Sequence, residues 1–210
     1  MDKKKVIEAI SKALADKGSR KFTQSLEFIV NFRNIDFAKA ENRLNLDISL
    51  PKGKGKEQKV VVFADSQAAL DAKNAGATEV IDIGGITKLA GDKHRLKELV
   101  KSCEFIAQPN MMMPIGKALG QVLGSRGKLP RPITGNVKDA IEQAKRRVRM
   151  ASKGKYLPVA QCIIGSEAMS ADDLAENFDA VYEKVKAKVL EPNIKSIFVK
   201  LSMGKPVKVM

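Results

Sequence analysis

The sequence has no tryptophan, two tyrosines, one histidine and two cysteines in 210 residues, and each scarcity closes off a chemistry. Cys103 and Cys162 stand far apart and outside any C-x-x-C pair, so both read as buried reduced thiols rather than as a disulfide or a metal site. With His94 the sole imidazole, zinc sites of the usual Cys/His kinds cannot be assembled, and no metal is expected. A Ser/His/Asp or Cys/His nucleophilic site would also have to use His94, which lies in the charged stretch GDKHRLKE and reads as a solvated helix residue. Adjacent carboxylates occur at Asp172 and Asp173, but the first turn of a helix is where carboxylates answer the macrodipole. No catalytic residue is nominated, and an enzyme is not expected.

Nucleotide signatures are missing too. After the apolar run VVVFAD stands ADSQAAL rather than a GxGxxG turn, and GKGKG and GSRGK both have the wrong spacing for GxxxxGK[ST]. DIGGI has a glycine pair but no third glycine and no apolar helix close behind, so no cofactor is expected. No apolar run reaches the ~18 residues of a membrane span, and MDKKKVIEAI is charged from the start, so neither membrane insertion nor a signal peptide is expected and the protein reads as cytoplasmic. Without an RNP-type aromatic strand, the chain is poorly equipped to stack unpaired bases in series.

What is present is positive charge: 38 Lys and Arg against 24 Asp and Glu, a net +14, which predicts attraction to polyanions. Hydrophobic periodicity divides the chain. KKKVIEAISKALADKG has helical spacing, and SLEFIVNF and RLNLDISLP alternate as strands with one wet face. From VVVFAD onward apolar strands and helices alternate, with EVIDIGG, KHRLKELVKS, EFIAQ, PIGKALGQVLG and a helix over NVKDAIEQAKRRVRM. YLPVAQCIIGS then reads as a strand, SADDLAENFDAVYEKVKAKVL as a helix with a Ser170/Asp173 capping box, and SIFVKLS with PVKV as a hairpin. The expectation is an α/β protein of two domains. Residues 1–59 and 156–210 form one α+β domain with an antiparallel sheet, and residues 60–155 are an inserted parallel, doubly wound α/β domain. With those limits both domains are basic, so net charge does not locate a binding face.

Three clusters stand out. GSRKFTQSLE sets Arg20 and Lys21 beside Phe22 and Ser25, a combination of phosphate-binding cations, a hydroxyl for 2′-hydroxyls and a ring for a sugar or base; the plain alternative is a basic loop with a core Phe. PKGKGKEQK surrounds two glycines with Lys52, Lys54, Lys56 and Lys59, suited to a phosphate backbone or simply to a solvated turn or linker. KLSMGKP offers Lys200, Ser202, a soft Met203 and Gly204, or merely joins two strands. The triplet Met111 to Met113 in PNMMMPIG reads as core filling at the end of a buried strand.

At MPIGKALGQVLGSRGKLPRP the sequence closely resembles the signature of the universal large-subunit ribosomal protein one family, and KFTQSLEF, ENRLNLDISLPKGKGK and VKLSMGKPVKV extend the resemblance to archaeal-like members over essentially the whole chain. Ser125 departs from it where many members have Pro, and Lys205 where a small or Pro-containing turn is expected. The resemblance implies a discontinuous RNA-binding domain with an inserted Rossmann-like domain. It further implies binding to large-subunit rRNA at the mobile stalk, participation in release of deacylated tRNA from the exit site, and repression of translation through the protein's own mRNA leader. It assigns RNA contacts to Lys21, Phe22, Ser25 and Glu27 near the first strand and to Ser202, Met203 and Gly204 in the final hairpin; the basic clusters themselves add Arg20, Lys54 and Lys200 as candidate RNA-binding cations. Glu27, which repels phosphate, is expected to accept from a 2′-hydroxyl or to orient a neighbouring cation. A ribosome-associated protein that is a monomer when free is the reading; a nucleotide-dependent enzyme using the insert, or a general polyanion binder, are the alternatives.

Overall fold

A computed structural model describes residues 2–152 and 157–210. In chain order the elements are α1 (Lys3–Ala15), β1 (Ser25–Phe32), β2 (Asn45–Ser49), β3 (Lys59–Phe63), α2 (Ser66–Asn74), β4 (Glu79–Ile81), α3 (Ile83–Gly91), α4 (Lys93–Ser102) and β5 (Cys103–Ala107). They continue with α5 (Met112–Ser125), β6 (Arg131–Pro132), α6 (Val137–Arg146), β7 (Arg147–Ser152), β8 (Val159–Ser166), α7 (Ala171–Val189), β9 (Ile194–Leu201) and β10 (Val207–Lys208). The chain separates into two compact units, Met1–Lys56 with Arg146–Met210, and Glu57–Lys145. No helix among the described residues is long and apolar enough to cross a membrane.

The discontinuous unit is an antiparallel sheet in the order β10-β9-β1-β8-β7-β2 with α1 and α7 over one face. Alternation in SLEFIVNF sends Leu26, Phe28, Val30 and Phe32 into the core and leaves Ser25, Glu27, Ile29 and Asn31 half-buried on the other face. Both helices answer with apolar stripes: Val6, Ala9, Ile10 and Ala13 from α1, and Leu174, Phe178, Val181 and Val185 from α7. Phe28 meets Phe178 edge-to-face at 5.0 Å between ring centres. Helix α7 starts as the capping box predicts, with Ser170 Oγ accepting from the Asp173 amide at 3.1 Å.

The inserted unit is a parallel sheet in the order β4-β3-β5-β6, filled on both faces. Val61 and Phe63 enter a core built with α3, α4 and α5, while Val60 and Val62 enter one built with α2 and α6, which explains the unbroken apolar run.

The structure corrects several expectations. The helix over NVKDAIEQAKRRVRM ends at Arg146, and 147–152 is strand β7, paired with β2 from Ser49↔Arg147 to Asn45↔Ala151. The stretch suits either element locally; a partner strand 98 to 106 residues away decides, helped by Arg147 Nε on Asp47 Oδ1 at 2.9 Å and Arg149 Nε donating to Asn45 Oδ1 at 2.8 Å. The inner limit expected at Lys155 and Tyr156 falls outside the described residues, but β7 already lies in the discontinuous unit. Charge is redistributed accordingly: the discontinuous unit carries 25 basic and 14 acidic side chains, a net +11, and the insert 13 and 10, a net +3. DIGGI does lead directly into an apolar helix, α3, because Asp82 Oδ1 accepts from Gly85 N at 2.6 Å and caps the glycine-rich first turn. The methionine triplet is not the end of a strand. Met111 is buried in a 3-10 turn (Pro109–Met111), while Met113, in the first turn of α5, is 69% exposed.

Asn177, fully buried on α7, ties the unit together: it accepts from Lys52 N at 3.0 Å and donates to the carbonyls of Gly53 (2.9 Å) and Ile164 (2.8 Å). Asn177→Leu keeps the volume but orphans three backbone groups, and is expected to cost about 3 kcal/mol in urea unfolding; a loss below about 0.5 kcal/mol would refute this role. Burial pushes the Cys162 thiol from 9.0 up to about 12. Folding therefore favours the protonated thiol, and its contribution to stability is present below the unfolded value of 9.0 and is lost between there and about 12. Cys162 is expected to resist alkylation at neutral pH until the protein unfolds.

Candidate nucleic-acid interface

The C-terminus of α1 runs into a loop on which Arg20, Lys21, Phe22 and Thr23 are all exposed. Phe22 is 54% exposed, so the reading of it as a core residue does not hold. The next residue reverses this: Gln24 is buried, its Nε2 donating to the Lys17 carbonyl at 2.8 Å and its Oε1 accepting from Met203 N at 3.1 Å. Its own carbonyl accepts from Glu167 N at 3.0 Å. One amide thus joins the end of α1, the entrance to β1 and the β9–β10 tip, and its backbone holds the end of β8.

The tip is clamped from both sides. Ser202 N donates to the Ser25 carbonyl at 3.0 Å, and the Ser202 hydroxyl accepts from Ser25 N and donates to that carbonyl, both at 3.3 Å. Lys205 N donates to Asp16 Oδ2 at 2.9 Å. A Cβ on Gly204 would stand 3.2 Å from Leu201 Cβ, so the turn is tight. With its amide tied to Gln24, Met203 projects its thioether outward and is 59% exposed. Two large apolar side chains, Phe22 and Met203, are therefore held in water by elements that the sequence separates by about the whole chain.

Strand register supplies the remaining groups. Glu27 on β1 lies opposite Lys200 on β9 and Ile163 on β8, the latter 41% exposed. A register shift between Leu26 and Glu27 then brings Ser166 opposite Ser25. Ser166 Oγ donates to the Gly55 carbonyl at 3.1 Å, and Lys56 Nζ donates to the Thr23 carbonyl (2.7 Å) and to Ser25 Oγ (3.2 Å).

The loop that carries Lys54 is thereby fastened to the same end of the sheet, where the sequence suggested a solvated linker. Gly55 has φ +65°, and a Cβ there would collide with Ser166 Oγ at 2.4 Å. Lys52 is engaged elsewhere, 3.4 Å from Asp173 and 3.5 Å from Glu176, and those carboxylates raise its pKa. Lys59 lies on β3 in the insert. Lys54 is half-buried. All ten nominated residues (Arg20, Lys21, Phe22, Ser25, Glu27, Lys54, Lys200, Ser202, Met203 and Gly204) belong to the discontinuous unit.

Sequence reasoning missed Gln24, Ser166 and Asn177, and it read Lys56 as a phosphate-facing or solvated cation where the structure has it bonded to Thr23 and Ser25; these groups hold this surface in place. Only the polar character of Gln24 between exposed loop and buried strand hinted at a role; its partner Met203 is 179 positions away.

A basic discontinuous unit with an antiparallel sheet and a parallel α/β insert define a two-domain α/β protein whose excess positive charge lies mainly on the discontinuous unit. The chain belongs to the Ribosomal protein L1p/L10e family, which matches residues 10–205. It is 45% identical to the large ribosomal subunit protein uL1 of Thermofilum pendens, over 96% of this chain and 91% of that one. It is 40% identical to the uL1 proteins of Methanocella arvoryzae, over the full length of both, and of Archaeoglobus fulgidus, over 100% of this chain and 99% of the other. Members of this family are structural ribosomal proteins, so the chain is a ribosome-associated structural protein of archaeal type and not an enzyme, and the reading of the insert as a nucleotide-dependent enzyme falls.

Replacing Gln24 by Ala strands the Met203 amide and the Lys17 carbonyl. The expected result is a loss of about 2–3 kcal/mol in urea unfolding and faster amide exchange at Met203 than at Val199. Unchanged exchange at Met203 would show that the tip does not depend on this amide.

Proposed function

We propose that the discontinuous unit is the RNA-binding domain of the protein and grips large-subunit rRNA of the mobile stalk through the entrance of β1 and the β9–β10 tip. The single observation that carries this reading is the pair Phe22 and Met203, 54% and 59% exposed although the Met203 amide is bonded to Gln24 and the residues that follow Phe22, Thr23 and Gln24, are tied down. Apolar groups fixed in water beside Arg20, Lys21, Lys54 and Lys200 suit a folded RNA, whose sugars meet the apolar atoms while cations meet phosphates.

The hydroxyls have complementary roles. Ser25 Oγ accepts from Lys56 and keeps its proton to donate, whereas Ser202 Oγ already donates and accepts within the protein and offers a remaining lone pair to a 2′-hydroxyl. Glu27 accepts from a 2′-hydroxyl beside Lys200, reading shape rather than charge. Gly204 lets the backbone come close to the groove. The same surface, presented with a similar RNA fold in the protein's own mRNA leader, represses translation; on the ribosome the stalk it holds takes part in releasing deacylated tRNA from the exit site.

Phe22→Ala, Ser202→Ala and Met203→Ala combined are expected to weaken binding of a stalk rRNA fragment by at least about tenfold in gel shifts, and to weaken the leader transcript in parallel. Affinity within about twofold of the parent protein would discard the site, and a leader still bound normally would discard repression through it. Wild-type preference for the stalk fragment over an unrelated duplex at equal salt separates this reading from general polyanion binding.

A further inference from the structure

Within the inserted unit, a groove of about 350 Å³ opens between α4 and the C-terminal turn of α5. It is lined by Lys97, Val100, Lys101, Val122, Arg126 and Lys128, with no carboxylate among them. Lys97, Val100 and Lys101 share one helical face by their spacing, and Lys93 extends the row to three ammonium groups at four-residue intervals. Like charges so spaced destabilise a helix, so this row works against α4 rather than for it.

The cations are also uncompensated. Lys93, Lys97, Lys101 and Arg126 make no ion pair among the described residues, whereas Lys128 is matched by Glu104 at 2.5 Å. Lys101 in the last turn of α4 and Arg126 at the end of α5 each meet a helix C-terminus, but such an end supplies only about half a negative charge, and Lys97 lies a turn away from it. Nor is this an evenly basic surface, since the whole insert carries a net of only +3. Positive charge is concentrated in a concave site with a valine floor, where the local field is focused.

We propose that this groove is a second RNA-backbone site, carried by the insert and separate from the strand-end surface. The choice of RNA among polyanions rests on the function proposed above. Three cations without acid partners suit consecutive phosphates, the two valines suit ribose, and the absence of aromatic side chains from the lining makes the contact one of backbone rather than of bases.

The test uses the full chain, first saturated with unlabelled stalk rRNA fragment and then titrated with a fluorescent RNA duplex of unrelated sequence. A ternary complex is expected. Lys97→Glu, Lys101→Glu and Arg126→Glu combined should weaken duplex binding by at least about tenfold and flatten its salt dependence by about two phosphate contacts, while stalk-fragment affinity stays unchanged. The Arg-for-Lys exchange at 97 and 101 should retain duplex binding. Failure of the parent protein to bind the duplex, or a triple-Glu variant within about twofold of it with the same salt slope, overturns the proposal. So does binding of polyglutamate or anionic vesicles at this groove with the duplex excluded. The strand-end variant Phe22→Ala/Ser202→Ala/Met203→Ala should leave the duplex bound, so the two sites fail independently; titration of the free chain with duplex keeps this test decisive even if the stalk fragment does not bind.

Discussion

One buried amide links the end of α1, the entrance of β1 and the β9–β10 tip at the exposed end of the antiparallel sheet. Gln24 cannot be in the core without partners, because an unsatisfied amide there costs more than its packing returns. Its partners are backbone groups at Lys17 and Met203, so satisfying the amide fixes the end of α1, the start of β1 and the final tip in one arrangement. Phe22 and Met203 can then remain in water: the chain on either side of each is committed elsewhere. A surface built this way is ordered by the protein's own bonds, which under the proposed function lowers the ordering cost of binding.

Asn177 does the same work one layer deeper. By bonding Lys52, Gly53 and Ile164 it joins α7, the lysine-bearing loop and the strand that carries the register shift. That shift brings Ser166 beside Ser25 and under Gly55, which turns a glycine-rich connection into a fixed rim. Membership in the ribosomal protein family and the net +11 of this unit fit together physically, since a structured RNA offers both dense phosphate and shallow sugar surfaces.

Much of the architecture was legible in the amino-acid pattern. Alternation in SLEFIVNF, the unbroken VVVFAD and the Ser170 capping box each have local causes, and each element formed as its pattern implied. The misreadings occurred where local pattern was indifferent. RRVRMAS fits a helix or a strand equally and is settled by β2; the glycine pair of DIGGI conceals a helix start that a single Asp82 hydrogen bond rescues; Met113 follows Met111 in sequence but faces the opposite way on a helical turn. The surface residues were nominated through motif resemblance and their basic surroundings, while the polar groups that support them carry no local signature.

By itself the sequence determined the alternation of elements, the excess of positive charge and the poverty of groups for catalysis, because periodicity, charge and side-chain chemistry are properties of neighbouring residues. Only the tertiary structure decided where β7 belongs, and with it that charge gathers on the discontinuous unit. It alone decided that Phe22 faces water and that Lys52 and Lys56 serve the scaffold. The physical reason is common to these cases: hydrogen bonds and strand pairs between residues some thirty to nearly two hundred positions apart have no trace in local composition and exist only once the chain has folded.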